Sequence, residues 1–403
     1  MLMIEFDNIE LLRESNANIK VVGVGGAGCN TVKSIMETSS YGIDYMVVNT
    51  DAQALEISCA PTKVRIGARS TKGLGSGANP EMGKRAAEEN LNEIMEHLED
   101  ADIVFLTGGM GGGTGSGGLP VIARALKERD ILTIAIVTKP FDFEGKKRAT
   151  VAQEVIKQLK DDVDTLIVIP NQKLLHVVDA KTSMIDAFNM INTILGQSVK
   201  SISDIITKPG HINVDFADVR TIMKNRGLAI MGTARSQGPD RALEATLAAI
   251  SSPLLENMDM KGSSSVLLNI TGSKNLSLHE ISQAASIIYE QADPEAQIIL
   301  GSVIDESLGD YVQVTIIATG FSQQSTTEIK QAATVVDDNP PLSLSAKIPE
   351  KSEMHAQLPP VYNTISVSKK PSEHLLNKEL LLDDDALDVP AFMRKQEANE
   401  CEL

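Results

Sequence analysis

Between Ile19 and about Ile169 the chain alternates short apolar, β-branched runs with longer stretches in which apolar residues recur every three to four positions. IKVVGV, YMVVNT, KVRI, DIVFLT, LTIAIVT and TLIVIP are the predicted strands. They lack polar alternation, which predicts strands buried on both faces in a parallel sheet covered by crossover helices. PEMGKRAAEENLNEIMEHLED, with Pro80 near its first turn, GLPVIARALKER and VAQEVIKQLKDDV carry the helical period. Residues 19–182 therefore read as a doubly wound α/β domain.

A longer helical pattern follows over 183–208. Ile185, Phe188, Ile191, Leu195, Val199, Ile202 and Ile206 fall on one face before Lys208-Pro209-Gly210 ends it, which predicts a long, well-buried helix. Over 209–321 the order LAIMG, DRALEATLAAI, SVLLNIT, LHEISQAASIIYE, AQIILGSVI, YVQVTIIAT predicts a second α/β domain. The short connection between its last two strands favours antiparallel pairing, hence a mixed sheet. Residues 1–18 read as an extension. Residues 322–382, rich in Ser, Thr, Gln, Lys and Glu and without periodicity, read as a disordered linker. Within 383–403, Val389, Phe392 and Met393 stand between acidic residues and Arg394-Lys395, the pattern of a short docking peptide.

A length of 403 residues suits two or three domains. With 37 basic against 54 acidic side chains the net charge is −17, which disfavours nonspecific nucleic-acid binding. No apolar run approaches the ~20 residues of a membrane span, and the acidic start MLMIEFDNIELLRES is unlike a secretion signal. A cytoplasmic chain without membrane insertion is expected. Cys29, Cys59 and Cys401 form no CxxC, so neither a disulfide framework nor a structural zinc site is expected. Aromatic residues make up 3% while Gly reaches 29, which favours recognition by backbone groups, as phosphates allow.

Two glycine loops give that recognition a place. The first strand runs into GVGGAGCN, where Gly23, Gly25 and Gly28 satisfy GxGxxG and a helix beginning near Asn30 would aim free N–H groups at an anion. Asp51, about twenty residues further on, suits a ribose-binding acid, so a nicotinamide-dependent oxidoreductase is one reading. The second loop, GGMGGGTGSGG, sets Gly108, Gly109, Gly111, Gly112, Gly113, Gly115, Gly117 and Gly118 between a strand and a helix. So many glycines exceed any evident packing need, and with Thr114 and Ser116 they predict a cradle for a triphosphate. Both loops belong at the carboxyl edge of one sheet.

Other chemistry is missing. Gly83-Lys84 and Gly145-Lys146 are followed by Arg85 and Lys147, so no GxxxxGK[ST] loop exists. No kinase set or Cys-His or Ser-His pairing stands out, and His97, His176, His211, His279, His355 and His374 are scattered. Cys29 reads as a small filler.

GGMGGGTGSGG, with NTDAQAL, ANPEMGKRAAEE, KPFDFEGKKR, NVDFADVR and the terminal DVPAFMRKQ, resembles the FtsZ family of bacterial, tubulin-like cell-division GTPases over residues 18 to 320 and again at the tail. The resemblance implies a tubulin-like fold with a long central helix, GTP and GDP as ligands with Mg2+, and head-to-tail filaments that form a ring at midcell. It places Gly26, Ala27, Gly28, Cys29 and Asn30 on the first phosphate loop and Gly113, Thr114 and Gly115 on the second. Glu144 and Arg148 match sugar and base-edge contacts, and Phe188 and Asn192 match guanine contacts. Four-residue spacing lets each pair share a helical face, although an ion pair or ordinary core would use the same spacing. Ala27 and Cys29 depart from the family's frequent glycines, so their Cβ atoms must point away from phosphate. Asp388 to Gln396 matches the tail peptide that docks division proteins and membrane tethers.

After the long helix, HINVDFADVR carries Asn213, Asp215 and Asp218 into the next helix. Two carboxylates can orient a water for in-line attack on a γ-phosphate while magnesium neutralises the oxygens, or one Asp can simply cap the helix. Some twenty helical residues, roughly 30 Å, separate these acids from the phosphate loops, so a neighbouring subunit must bring them. A contact of that kind that does not close makes a filament. The resemblance supports this arrangement; a structural filament protein that binds nucleotide without cleaving it is the remaining alternative.

Overall fold

A computed structural model describes residues 17–37, 42–175, 181–208, 210, 212, 214–252 and 260–321. The linker, the tail peptide and nearly all of the N-terminal extension expected above lie outside the described residues, as does Asn213.

The apolar runs become strands almost residue for residue. β1 (Ile19–Val24) turns directly into α1 (Gly25–Glu37), so this helix starts five residues before Asn30 and includes most of the first glycine loop. β2 (Ile43–Asn49) leads to the short α2 (Ala52–Ile57) and β3 (Thr62–Arg65). The next helical stretch is two helices, α3 (Pro80–Glu89) and α4 (Leu91–Glu96). Asn90 breaks it: its backbone leaves helical geometry (φ −117°, ψ 18°) while its carbonyl Oδ1 accepts the Gly67 amide at 3.0 Å. β4 (Ile103–Gly109), α5 (Thr114–Glu128), β5 (Leu132–Lys139), α6 (Lys146–Asp162), β6 (Thr165–Pro170) and α7 (Asn171–Leu174) complete the doubly wound half.

α8 (Met184–Thr207), N-capped by the Ser183 hydroxyl, is the long helix. Its buried face starts only at Ile191; Met184 and Ile185 are 68% and 70% exposed, so its first two turns are not the buried helix expected from the periodicity. Then come α9 (Phe216–Met223), β7 (Gly227–Ser236), α10 (Arg241–Ile250), β8 (Ser265–Gly272), α11 (Leu278–Gln291), β9 (Gln297–Ile304) and β10 (Val312–Thr319).

The described strands join in one sheet of order β3-β2-β1-β4-β5-β6-β7-β10-β8-β9. β1 to β6 are parallel, and β6 continues into β7 through the pairs Thr165–Gly227, Leu166–Leu228 and Ile167–Ala229. The mixed character is as expected, but β9 and β10 do not pair with each other. β10 inserts between β7 and β8, antiparallel to both, while β9 lies at the edge parallel to β8. The reason is the α11 crossover, which fixes β8 and β9 as parallel neighbours and leaves the antiparallel slot to β10.

Alternate residues of the central strands feed opposite layers. Ile19 and Val21 of β1 pack with α1, α8 and α9, whereas Val22 and Val24 pack with α3, α4, α5 and α6. A third cluster joins α10 and α11 to β8 and β10. The helices after β1 and β4 thus cover opposite faces of adjacent strands, which opens a crevice at the carboxyl ends of that pair.

Candidate nucleotide site

That crevice is a cavity of about 350 Å3 at the ends of β1, β4 and β5 and the start of α7 and α8. The N-termini of α1 and α5 meet in it so closely that a methyl group on Gly25 would lie 3.0 Å from the Gly115 amide nitrogen. Gly25 itself has φ +73°, a conformation in which a side chain would be strained. No side chain caps α5, so its first N–H groups and positive dipole end stay available to an anion. Two such ends converging on one cavity provide the positive potential that a chain of net charge −17 otherwise lacks. Thr114 ties the floor together: its hydroxyl lies 2.7 Å from that of Thr50 and 3.0 Å from that of Ser76.

Of the residues proposed from the sequence, Gly26, Ala27, Asn30, Gly113, Thr114, Gly115, Glu144, Arg148, Phe188 and Asn192 line this one cavity. Gly28 and Cys29 do not. A Cβ on Gly28 would fall 2.7 Å from the Thr107 carbonyl oxygen, so this glycine lets α1 lie against β4. The Cys29 side chain is buried beside Asn49, whose amide nitrogen lies 3.7 Å from Sγ, and burial pushes the thiol up to about 11. The two residues that depart from the family's frequent glycines are thus handled differently, with Ala27 in the cavity wall and Cys29 turned into the core.

The second loop also differs from its reading as glycines kept free for a ligand. A Cβ on Gly113 would lie 2.2 Å from the Ser76 hydroxyl, on Gly115 2.7 Å from the Gly109 carbonyl, and on Gly117 2.1 Å from the Pro80 carbonyl. These glycines let α3, the loop before it and β4 close around α5. Gly112 is the member of the loop with open space where a Cβ would go.

On the far wall, Glu144 ends a 3-10 turn and accepts the Phe141 amide at 2.9 Å, while Arg148 in the first turn of α6 bonds Glu144 at 2.6 Å. The ion pair forms and both members face the cavity, but they do not share a helical face as expected, because Gly145 (φ +100°) breaks the chain between the 3-10 turn and α6. Phe188, 37% exposed, meets Phe141 edge-on at 5.6 Å, leaving part of its ring toward the cavity. Sequence reasoning missed Asn171, which is buried and lines the cavity with its carbonyl Oδ1 unpartnered. A buried acceptor without a donor is costly, which makes this amide a waiting contact for a ligand N–H. Its signal in the sequence was the position directly after a predicted strand, at the edge where ligands bind.

Asp51 is committed elsewhere, its carboxylate accepting the Gln53 and Ala54 amides to cap α2, which removes the ribose acid of the oxidoreductase reading. Asp215 caps α9 by accepting the Asp218 amide at 2.8 Å, and both acids are exposed. They stand away from the cavity. α9 is held at the opposite, amino-terminal edge of the sheet, its Met223 carbonyl bonded by Thr165 at the start of β6. Among the described residues no trio of His, Cys, Asp or Glu is gathered to hold a metal ion, and no helix is long and apolar enough to cross a membrane.

Comparison with known proteins gives this geometry its relatives. Residues 18–179 match the family model of the Tubulin/FtsZ family GTPase domain, and residues 227–322 match the FtsZ family C-terminal domain. The solved FtsZ dimer of M. jannaschii is 42% identical, with a TM-score of 0.74 over 79% of this chain and 93% of its own. CetZ2 from Haloferax volcanii, a GTPγS-bound protofilament, is 21% identical over 79% of this chain and 100% of its own, with a TM-score of 0.64. The GDP-bound CetZ1 monomer of the same organism is 22% identical over 78% of this chain and 98% of its own, with a TM-score of 0.66. At those two identities the likeness speaks to fold alone.

Proposed function

The chain belongs to the Tubulin/FtsZ family, which makes it a tubulin-like cytoskeletal GTPase, and from that premise we propose that it completes its hydrolytic site only between neighbouring copies in a head-to-tail filament. The observation that carries the reading is the separation of two sets of groups. The phosphate-binding helix ends lie at the carboxyl edge of the sheet, whereas Asp215 and Asp218 ride on a helix fixed at the other edge. α8, with 24 residues and a length of about 36 Å, carries the chain from one to the other.

In this mechanism the N–H groups of the first turns of α1 and α5 hold the phosphates, with the Thr114 and Ser76 hydroxyls beside them. The Phe188 ring and the Asn192 and Asn171 amides take the base, and Glu144 and Arg148 the sugar and the base edge. Thr114 and Ser76 are neutral oxygen donors that would suit a Mg2+ ion beside the phosphates. When bound, Mg2+ neutralises the phosphate oxygens. Asp215 and Asp218 of one copy, with Asn213, orient the attacking water at the γ-phosphate of the next. The filament reading is consistent with the dimer and protofilament forms of the M. jannaschii and H. volcanii proteins.

Turnover per molecule is expected to fall steeply on dilution. Asp215→Ala and Asp218→Ala are expected to abolish phosphate release while leaving nucleotide binding intact, and GTP but not GDP is expected to raise light scattering. Turnover independent of concentration would refute the shared site, and nucleotide binding without phosphate release in the unmodified protein would favour a purely structural filament. In the cell this polymer would form the cytoplasmic division ring at midcell, with Asp388 to Gln396 docking division proteins and membrane tethers.

A further inference from the structure

α5 ends in a chain reversal whose details are unusual. The Asp130 amide donates to the Lys127 carbonyl at 3.1 Å and the Ile131 amide to the Leu126 carbonyl at 3.2 Å, while Ile131 and Leu126 are both buried. That is the Schellman pattern of a helix C-terminus, in which the residue in Asp130's place adopts the left-handed conformation and is usually glycine. Asp130 sits there with φ +57°. A glycine would meet the backbone requirement without strain, so the aspartate side chain is the feature that needs a reason.

The carboxylate is fully engaged. Oδ1 accepts from Lys224 Nζ at 2.8 Å and Oδ2 from Arg220 Nη2 at 2.8 Å, and Arg220 also reaches the Asp130 carbonyl at 3.3 Å. The cations, led by the Lys224 hydrogen bond, hold the Asp130 carboxyl below its ordinary range. Arg220 lies in α9 and Lys224 is its C-cap, so both grips fall on the half of α9 farthest from Asp215 and Asp218. The carbonyl oxygens of Ile222 and Met223 are bonded by Thr319 and Thr165, which fixes the helix end in place. The inner face of α9 is seated along its length, with Phe216, Val219, Ile222 and Met223 against the first core cluster and Val214 buried ahead of it, so what remains to be set is its rotation and small tilt on that bed. A two-armed contact from outside sets its direction, and at eight residues α9 translates a small tilt into a displacement at the acids.

We propose that Asp130 is a positioning residue for hydrolysis, which through Arg220 and Lys224 aims α9 so that Asp215 and Asp218 meet the neighbouring copy's γ-phosphate. The inference rests on the shared-site reading above. A residue acting through another at such a distance changes turnover through misplacement rather than through lost binding.

The test uses full-length Asp130→Gly and Asp130→Asn, measured above and below the assembly threshold. Asp130→Gly is expected to keep or raise the melting temperature and to bind GTP in dilute solution as the parent does. Its threshold concentration should stay within about twofold, while turnover per assembled subunit falls about fivefold or more. Asp130→Asn, which keeps one acceptor oxygen, is expected to fall between them. Raising salt should narrow the difference, because the contact is exposed. Parent-like turnover of Asp130→Gly in assembled protein would overturn the proposal, as would a drop in melting temperature parallel to the loss of turnover. Asp215→Ala in the same series separates the two failures: if it still hydrolyses, the shared-site reading is wrong, and if it is dead while Asp130→Gly is normal, only the positioning role is.

Discussion

Replacing Gly117 and Gly112 separately by alanine distinguishes glycines that serve packing from those that serve a ligand, although both lie in the same run of sequence. A Cβ on Gly117 would lie 2.1 Å from the Pro80 carbonyl oxygen and 2.4 Å from the Lys84 amide nitrogen, both backbone atoms of α3 that no rotamer change can move. α3 must then lift from α5. Overpacking of this kind costs about 1–3 kcal/mol, and backbone on backbone belongs at the upper end. For a folded region of some 300 residues, about 3 kcal/mol corresponds to a fall in melting temperature of about 5 °C. Gly112 has no atom within 4 Å of the added methyl group and an ordinary φ, so alanine there should leave stability unchanged or raise it by about 0.5 kcal/mol through the unfolded chain. Because Gly112 lines the cavity, the same methyl group should weaken GTP binding, by about tenfold for about 1.4 kcal/mol of lost approach. Thermal melts of nucleotide-free protein and GTP titrations below the assembly threshold read the two effects. An unchanged melting temperature in Gly117→Ala, or a large drop in Gly112→Ala, would refute the division between the two glycines.

Two further outcomes follow from other parts of the chain. Arg241, 8% exposed, bonds Glu280 at 2.6 Å, the Asp310 carbonyl at 2.9 Å and Asn275 Oδ1 at 2.9 Å, so Arg241→Ala should cost about 3 kcal/mol in a urea melt at neutral pH. Burial pushes the Glu280 carboxyl up, but the Arg241 and Ser277 hydrogen bonds outweigh it and hold the group below its ordinary 4.5. The stability it adds is therefore present above 4.5 and lost as pH falls through the lowered value, and the alanine variant should show a smaller acid loss than the parent; an equal loss would refute the assignment. Removing residues 383–403 should leave GTP-dependent light scattering intact while abolishing capture of tail partners, and retained capture would count against the docking role of Asp388 to Gln396.

Much of this fold was legible because period and burial coincide. Runs such as LTIAIVT and SVLLNIT have no polar alternation because they are covered on both faces, and each became a strand. The misreadings come from places where a contact distant in sequence overrides a local pattern. Asn90 breaks a good helical period because its side chain holds Gly67, twenty-three residues away. Met184 and Ile185 continue the apolar face of α8 past the point where anything described covers it, and periodicity alone carries no information about where a face stops being buried. The pairing of β10 follows from which slot the α11 crossover leaves open rather than from the length of its connection. At the site, the resemblance pointed to Glu144 with Arg148 and Phe188 with Asn192; four residues on α8 do fix one face for the second pair, whereas Glu144 precedes α6 and reaches Arg148 across the Gly145 turn. Spacing could not tell Gly28 from Gly26, since the difference is the Thr107 carbonyl that arrives from another strand.

The same topology gives a physical reason for a divided reaction centre. In a parallel sheet every strand delivers its following loop to the carboxyl edge, so successive βα turns converge on one ligand and bind it with backbone dipoles. Those dipoles fit the ground state as well as the transition state, and uniform binding does not by itself speed a reaction. In the proposed mechanism the groups that act on the attacking water come from elsewhere. Here they follow α8, whose 24 residues run antiparallel to the strands and deliver the chain to the amino edge, about 36 Å from where the helix began. A single copy thus holds the cavity and the acids at opposite edges of the sheet, and on the proposed reading stacking copies end to end would join them. On the shared-site proposal, nucleotide cleavage would be tied to assembly by this separation of the two sets of groups.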